Sequence, residues 1–249
     1  MYDRYRAWLT RQPPASPDGA DGSSAEAIHA RYRDELRTHG IAPEEADRHL
    51  RVIIESGPRL EVERWNTALT RATPTFNLQP NAFLAQMIAD RPPGAALDVG
   101  MGQGRNALFL AQQGWTTTGF DPAERAVAAA RVEAERVGLH LEMSVAGIDE
   151  FDWGQRQWDL ILLSYVGARK LVDRVVTALR PGGLLVVEAF HRDATKTASI
   201  GSGVVFESNE LLHLFDRLRI IRYEDVEAVA DFGPRTATSR VVRLAAQAP

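Results

Sequence analysis

The hydrophobic positions of this chain change their period about one third of the way along it. Over the first ninety residues they recur every three or four positions: Ile28, Tyr32 and Leu36; Ala46, Leu50 and Ile53; Val62, Trp65 and Leu69; Phe83 with Met87. That spacing predicts three or four amphipathic helices. The second begins at Pro43 with Glu44 and Glu45 behind it, and the fourth follows Pro80, as suits helix starts. From Ala95 onward, short apolar runs alternate with helical faces. Residues 95–99 and 157–165 are too short for helices and fit buried parallel strands. Residues 139–145 alternate apolar and polar as a strand does. Between them, Ala107, Leu110 and Ala111 mark one helical face; Val127, Ala130, Ala134 and Val137, closed by Gly138, mark another; Val172, Val175, Val176 and Leu179 mark a third. Arg180-Pro-Gly-Gly stops that helix and reverses the chain into Leu184-Leu-Val-Val. Ser208 is placed to cap a short helix carrying Leu211, Leu214 and Phe215, and strand-like segments 218–226 and 238–244 follow, joined through residues 231–234.

Strands alternating with helices predict an α/β fold. Residues 12–24 are rich in Pro, Gly, Ser and Asp and read as a flexible linker. The expected organisation is a flexible N-terminal segment over 1–25, a helical cap over 26–90 and a cofactor-binding core over 91–249. The cap either folds over the pocket, or pads the sheet or makes a homodimer contact.

Chemistry concentrates where the first strand ends. Gly100-Met101-Gly102-Gln103-Gly104 lets the backbone turn sharply and approach a ligand, and the following helix offers it free N–H groups. The next strand ends at Asp121, from which a carboxylate can accept both hydrogen bonds of a ribose diol. Together these make a nucleoside half-site. A dinucleotide fingerprint would place glycine at position 105, where this chain has Arg105.

The pattern G-x-G-x-G, with Leu97-Asp98 before it and Asp121 after it, resembles motif I of the class I S-adenosylmethionine-dependent methyltransferases. Gln157-Trp-Asp-Leu-Ile and Arg180-Pro-Gly-Gly resemble two further landmarks of that family, in order, over roughly residues 91–192. Arg105-Asn106 and Val204-Val-Phe206 resemble its tellurite-resistance and thiopurine branch. The resemblance implies a Rossmann-like, seven-stranded, mostly parallel sheet with an antiparallel last strand. It implies S-adenosylmethionine as cofactor, S-adenosylhomocysteine as product, and a small-molecule nucleophile (O, N, S or another chalcogen) as acceptor. The implied cofactor residues are Asp98, Gly100, Met101, Gly102, Gly104, Asn106, Asp121, Pro122 and Ser164. The loop after the third strand adds Ile148 and Asp149, although Gly147 stands where the family places its adenine-binding acid. The string after the fourth strand is Ser164-Tyr-Val-Gly167, which speaks against methylation of exocyclic base amines.

Composition narrows the partners. With 249 residues and 45% hydrophobic content the chain can build one large core. A net charge of −4 offers no global attraction to nucleic acid. No apolar run approaches the ~20 residues of a membrane span, and the N-terminus lacks a signal-peptide core, so the expected location is cytoplasmic. With no cysteine there is no thiolate metal site, and the histidines show no metal-ligand spacing. His191 and Tyr165, both at expected strand ends, are the catalytic and substrate-orienting candidates, His191 as a base for an O–H or N–H nucleophile. Phe76 and Asn77 are candidate substrate contacts from the cap side. Two other readings use the same device: an NAD(P)-dependent oxidoreductase, which Arg105 disfavours, and a cofactor-binding protein without turnover.

Overall fold

A computed structural model of the protein describes residues 1–12, 25–74, 76–197, 200–232 and 238–249. Five strands run parallel: β1 (Ala95–Val99), β2 (Thr116–Asp121), β3 (Glu142–Val145), β4 (Trp158–Ser164) and β5 (Leu179–His191). A two-residue strand, β6 (Val205–Phe206), adds to the end of β5. β7 (Arg219–Val229) and β8 (Thr238–Gln247) form a closing hairpin whose last strand inserts antiparallel beside β5. The order is therefore β3-β2-β1-β4-β5-β8-β7, with the expected antiparallel last strand. The eighth strand, β6, exceeds the expected seven because Val205 and Phe206 are buried against Phe190 and His191.

The central strands are apolar on both faces because helices cover both. On one face Leu97, Val99, Ile161, Leu163 and Val187 pack with α7 (Val172–Ala178) and α8 (Glu210–Leu214). On the other, Ala96, Leu160, Leu162 and Val186 meet Phe83 and Leu84 of α4 (Ala82–Ile88) and Leu110 of α5 (Arg105–Gln112). The connection from β3 to β4 carries no helix among its residues. Phe151, stacked on Phe120 at 4.2 Å, and Trp153 fill that gap. α6 (Glu124–Arg136) ends at Gly138, whose φ of +69° suits the residue after a helix.

The cap differs from its sequence pattern in two respects. The two faces expected around Leu50 and Trp65 lie on one 27-residue helix, α3 (Pro43–Leu69), which continues through Gly57-Pro58. Its two ends are anchored separately, Leu50 and Ile53 against α2 (Ala25–Thr38) and Asn66 against the core. Within the stretch expected to be flexible, α1 (Tyr2–Leu9) docks Trp8 and Tyr5 on Tyr32, with ring centroids 5.0 and 4.9 Å apart. Residues 13–24, which carry most of the linker reading, and 233–234 of the hairpin connection lie outside the described residues. No helix among the described residues is long and apolar enough to cross a membrane.

Candidate active site

In an open parallel sheet the crevice forms where strand order reverses, at the carboxyl ends. Here that point lies between β1 and β4. Gly100, Gly102 and Gly104 all have positive φ, between +56° and +79°. A Cβ on Gly100 would stand 2.9 Å from Val166 Cγ2, so the loop after β4 lies against the glycine turn. Gly104 is the N-cap of α5 and would place a Cβ 3.0 Å from that of Ala130.

Asp121 organises the turn. Its Oδ2 accepts the Gly102 N–H at 2.9 Å and its Oδ1 the Ala123 N–H at 2.8 Å. Each carboxylate oxygen has two lone pairs, so one on each remains for a diol. Burial pushes this carboxyl above its ordinary value, against the pull of those two N–H groups. Asp98, 1% exposed, ends β1 with its Oδ2 unpartnered. Burial raises its carboxyl to about 7, opposed by the Arg105 guanidinium and the Ala107 backbone N–H, with Asp121 adding a smaller upward push. Ser164 Oγ, at the end of the adjacent strand, is also buried without a partner. A nucleoside with a cationic tail fits these groups: Asp121 retains acceptors for a ribose diol, and Asp98 and Ser164 offer unpaired oxygens to an ammonium group.

The other expected cofactor residues take varied positions. The Met101 side chain packs under the turn with Ala107, Val127 and Ala130, against Gly119. Asn106 is buried, its Oδ1 accepting the Asn81 N–H at 2.8 Å. Pro122 is half-buried beside Asp121. The Ile148 carbonyl accepts from Arg174 at 2.6 Å, and Asp149 is paired with the same arginine at 2.6 Å, its side chain 88% exposed. The Asp149 carboxylate thus faces solvent.

The acceptor side is arranged differently from its expectation. Tyr165 has φ +57°, a strained conformation for a residue with a side chain, and its hydroxyl donates to Glu188 Oε1 at 2.6 Å. Glu188, 0% exposed in mid-β5, also accepts from Arg243 Nε at 2.6 Å. Burial and the adjacent Glu188 hold the Tyr165 phenol well above its ordinary value, so it is a neutral donor. His191 has both ring nitrogens engaged. Its Nδ1 accepts the Asp193 N–H at 3.0 Å, which leaves the proton on Nε2, 3.2 Å from Ser208 Oγ. Ser208 in turn donates to Asp225 at 2.6 Å. Ser208 therefore does not cap α8, whose N-cap is Asn209. Asn77 is buried, its amide bonded to Asp231 Oδ1 at 3.1 Å and its oxygen to the Gln79 N–H.

Rings from four separated segments meet above these groups. Phe76 lies 4.7 Å from Phe232 and 6.0 Å from Trp65, and Tyr165 lies 4.9 Å from Phe232. Trp65, Phe76 and Phe232 remain partly exposed. Sequence spacing could not find Asp231 and Phe232, because they lie about 150 residues from Asn77 and Phe76 and meet them only through the hairpin. A surface cleft of about 930 Å³ lies elsewhere, at the amino ends of the strands beside Thr116, His140 and Trp158. Its arginines are committed, Arg131 to the Met143 carbonyl and Arg180 to Asp159, so volume does not mark the site.

The cap is joined to the cofactor loops. Asn66 Oδ1 accepts the Arg125 N–H at 2.9 Å, Arg125 pairs with Glu63 at 2.5 Å, and Leu69 packs 3.5 Å from where a Gly102 Cβ would stand.

Comparison with known proteins agrees with this geometry. Residues 96–183 match the family model described as a methyltransferase domain. The chain is similar to a ubiquinone biosynthesis O-methyltransferase of Bradyrhizobium sp. (strain ORS 278), 31% identical over 104 residues, which cover 39% of this chain and 40% of that protein. It is 25% identical over 183 residues to a ribosomal RNA small subunit methyltransferase C of Alcanivorax borkumensis, covering 61% of this chain and 54% of the relative. The chain thus spans about half or less of these relatives' length. In structure it is similar to the N-methyltransferase NodS from Bradyrhizobium japonicum WM9, solved with S-adenosyl-L-homocysteine. The TM-score is 0.57 at 19% identity, over 76% of this chain and 97% of that one. Residues 96–183 are thus similar in sequence to methyltransferase domains, and 76% of the chain is similar in fold to a methyltransferase.

Proposed function

We propose that this chain transfers the methyl group of S-adenosylmethionine to a small-molecule nucleophile by in-line displacement. The observation that carries the reading is Asp121, held by the Gly102 and Ala123 N–H groups at the end of β2 with one acceptor lone pair left on each oxygen. When bound, the cofactor supplies a methyl carbon already activated by a sulfonium, so the protein's work is to orient the acceptor and exclude water. The acceptor's lone pair forms the new bond, the C–S bond breaks with its electrons on sulfur, and a proton is lost to solvent. Phe76, Phe232, Trp65 and Tyr165 wall the acceptor. Asn77 holds that wall in place through Asp231, the neighbour of Phe232. A small acceptor, rather than RNA, is supported by the net charge of −4 and by an acceptor side lined with aromatic rings.

The test is calorimetric titration with S-adenosylhomocysteine and NADH, followed by release of S-adenosylhomocysteine from S-adenosylmethionine against small-molecule pools and rRNA fragments. Micromolar binding of S-adenosylhomocysteine alone, with turnover on a small-molecule pool, is expected. Binding of NADH instead, or turnover only on RNA, overturns the reading.

A further inference from the structure

The turn that carries Asp121 runs straight into α6, and the first turn of that helix has no cap of its own. Its N-cap residue is Ala123, a methyl group where a capping oxygen usually stands. The Ala123 N–H donates to Asp121 Oδ1 at 2.8 Å. The Arg125 N–H donates to Asn66 Oδ1 at 2.9 Å, so the side chain that caps α6 comes from α3, 59 residues away. A capping side chain ordinarily accepts from the second or third helical residue, and Arg125 is the second. Asn66 is 2% exposed, and asparagine is both a poor helix former and costly to bury without a partner. The acceptor it presents to α6 accounts for its place in α3. Three further contacts tighten this clasp. Arg125 Nη2 donates to Glu63 Oε1 at 2.5 Å and to Thr67 Oγ1 at 3.3 Å, and Glu63, Asn66 and Thr67 share one face of α3. Leu69 lies 3.5 Å from where a Gly102 Cβ would stand, and the Gly102 N–H is the other donor to Asp121. The end of α3 therefore touches the turns on both sides of Asp121, while its start is packed on α1 and α2 through Leu50 and Ile53.

We propose that Asn66 is a positioning residue for the cofactor: by capping α6 from α3 it holds the Asp121 turn in place and couples docking of α3 to cofactor binding. This rests on the reading of the core as an S-adenosylmethionine site. Undocking of α3 would strip the Arg125 N–H of its acceptor, part Arg125 from Glu63 and lift Leu69 from the glycine turn. A ligand that needs both turns ordered therefore favours the docked helix, and the docked helix favours the ligand by the same factor. The cap is thus part of how the cofactor site is built, rather than padding on the sheet.

The experiment follows the coupling from both ends. Asn66→Ala removes the capping oxygen, and affinity for S-adenosylhomocysteine in calorimetry is expected to fall about tenfold. Asn66→Asp keeps an oxygen in that place, beside a helix N-terminus that favours an anion, and is expected to stay within about threefold of the wild type. In the wild-type protein, saturating S-adenosylhomocysteine is expected to slow amide hydrogen exchange at residues 62–66 by about tenfold or more, although these residues lie away from the ligand. In Asn66→Ala that slowing is expected to disappear. Where the alanine variant fails to fold, the aspartate variant and the wild-type exchange decide the matter. Unchanged affinity in the alanine variant, an equal loss in the aspartate variant, or exchange at 62–66 that ignores the ligand overturns the positioning role while leaving the cofactor reading intact. A wild-type protein that binds no S-adenosylhomocysteine overturns the cofactor reading and this inference with it.

Discussion

The two halves of the crevice treat polar groups in opposite ways. On the cofactor half, Asn81 Nδ2, Asp98 Oδ2 and Ser164 Oγ are buried and unpaired. On the acceptor half, the titratable groups at the strand ends are committed: Tyr165 to Glu188, Glu188 to Arg243, and His191 to Asp193 and Ser208. Buried polar groups without partners are what a polar ligand completes. Committed groups instead fix a shape, and the surface they support is aromatic. Under the proposed function, one half would receive a particular charged ligand and the other the contour of an acceptor.

The largest expected effect breaks the acceptor half. Glu188→Ala leaves the Arg243 guanidinium, itself 14% exposed, without its buried partner. A loss of about 3–5 kcal/mol in urea-unfolding free energy is expected, as for removal of one member of a buried ion pair. A loss below about 1 kcal/mol would mean that water and Glu224, which Arg243 already pairs at 3.1 Å, suffice for the guanidinium.

Protonation sharpens the other half. The folded pKa of Asp98, about 7, lies above its ordinary 3.8, so the folded protein holds this proton more tightly than the unfolded chain. The contribution to stability of the unliganded protein is complete below about pH 3.8 and is lost as pH rises through about 7. An ammonium group prefers the ionised carboxylate, so S-adenosylhomocysteine affinity is expected to rise between pH 6 and 8. Asp98→Asn is expected to flatten that rise and to lower affinity about tenfold at pH 8, a loss of roughly 1.4 kcal/mol. An unchanged pH profile in calorimetry would show that Asp98 does not meet the ammonium.

An effect of similar size separates holding from chemistry at His191. Removing two side-chain hydrogen bonds with His191→Ala is expected to cost about 1–2 kcal/mol of stability. The pH dependence of turnover should be that of the wild type once an acceptor is in hand. A fall in kcat that the stability loss does not explain would mark His191 as a base.

Much of the cofactor half was legible in sequence because its parts are local. Gly100, Gly102, Gly104 and the α5 start fall within ten residues of β1, and Asp121 ends the next strand, so strand and helix periods alone place them together. The acceptor half was not legible. Tyr165 and His191 were placed correctly at strand ends, but their partners, Glu188 in β5, Asp193 just after it and Ser208 ahead of α8, were not found. The side-chain roles of Met101 and Asn106 were equally hidden, since a residue in the glycine loop or in the first turn of α5 can turn inward or outward without changing the motif.

The sequence by itself determined the alternating sheet, the glycine turn and the acid after β2, because each rests on periodicity or on residue chemistry within one βαβ unit; the cofactor came from the resemblance these residues carry. Only the tertiary structure decided that α3 runs unbroken through Pro58, that Asp231 and Phe232 close over Asn77 and Phe76, and that His191 is already bonded. The physical reason is that burial and hydrogen-bond satisfaction are properties of neighbours in space. The hydrogen-bonded pair Asn77 and Asp231 is separated by 154 residues along the chain.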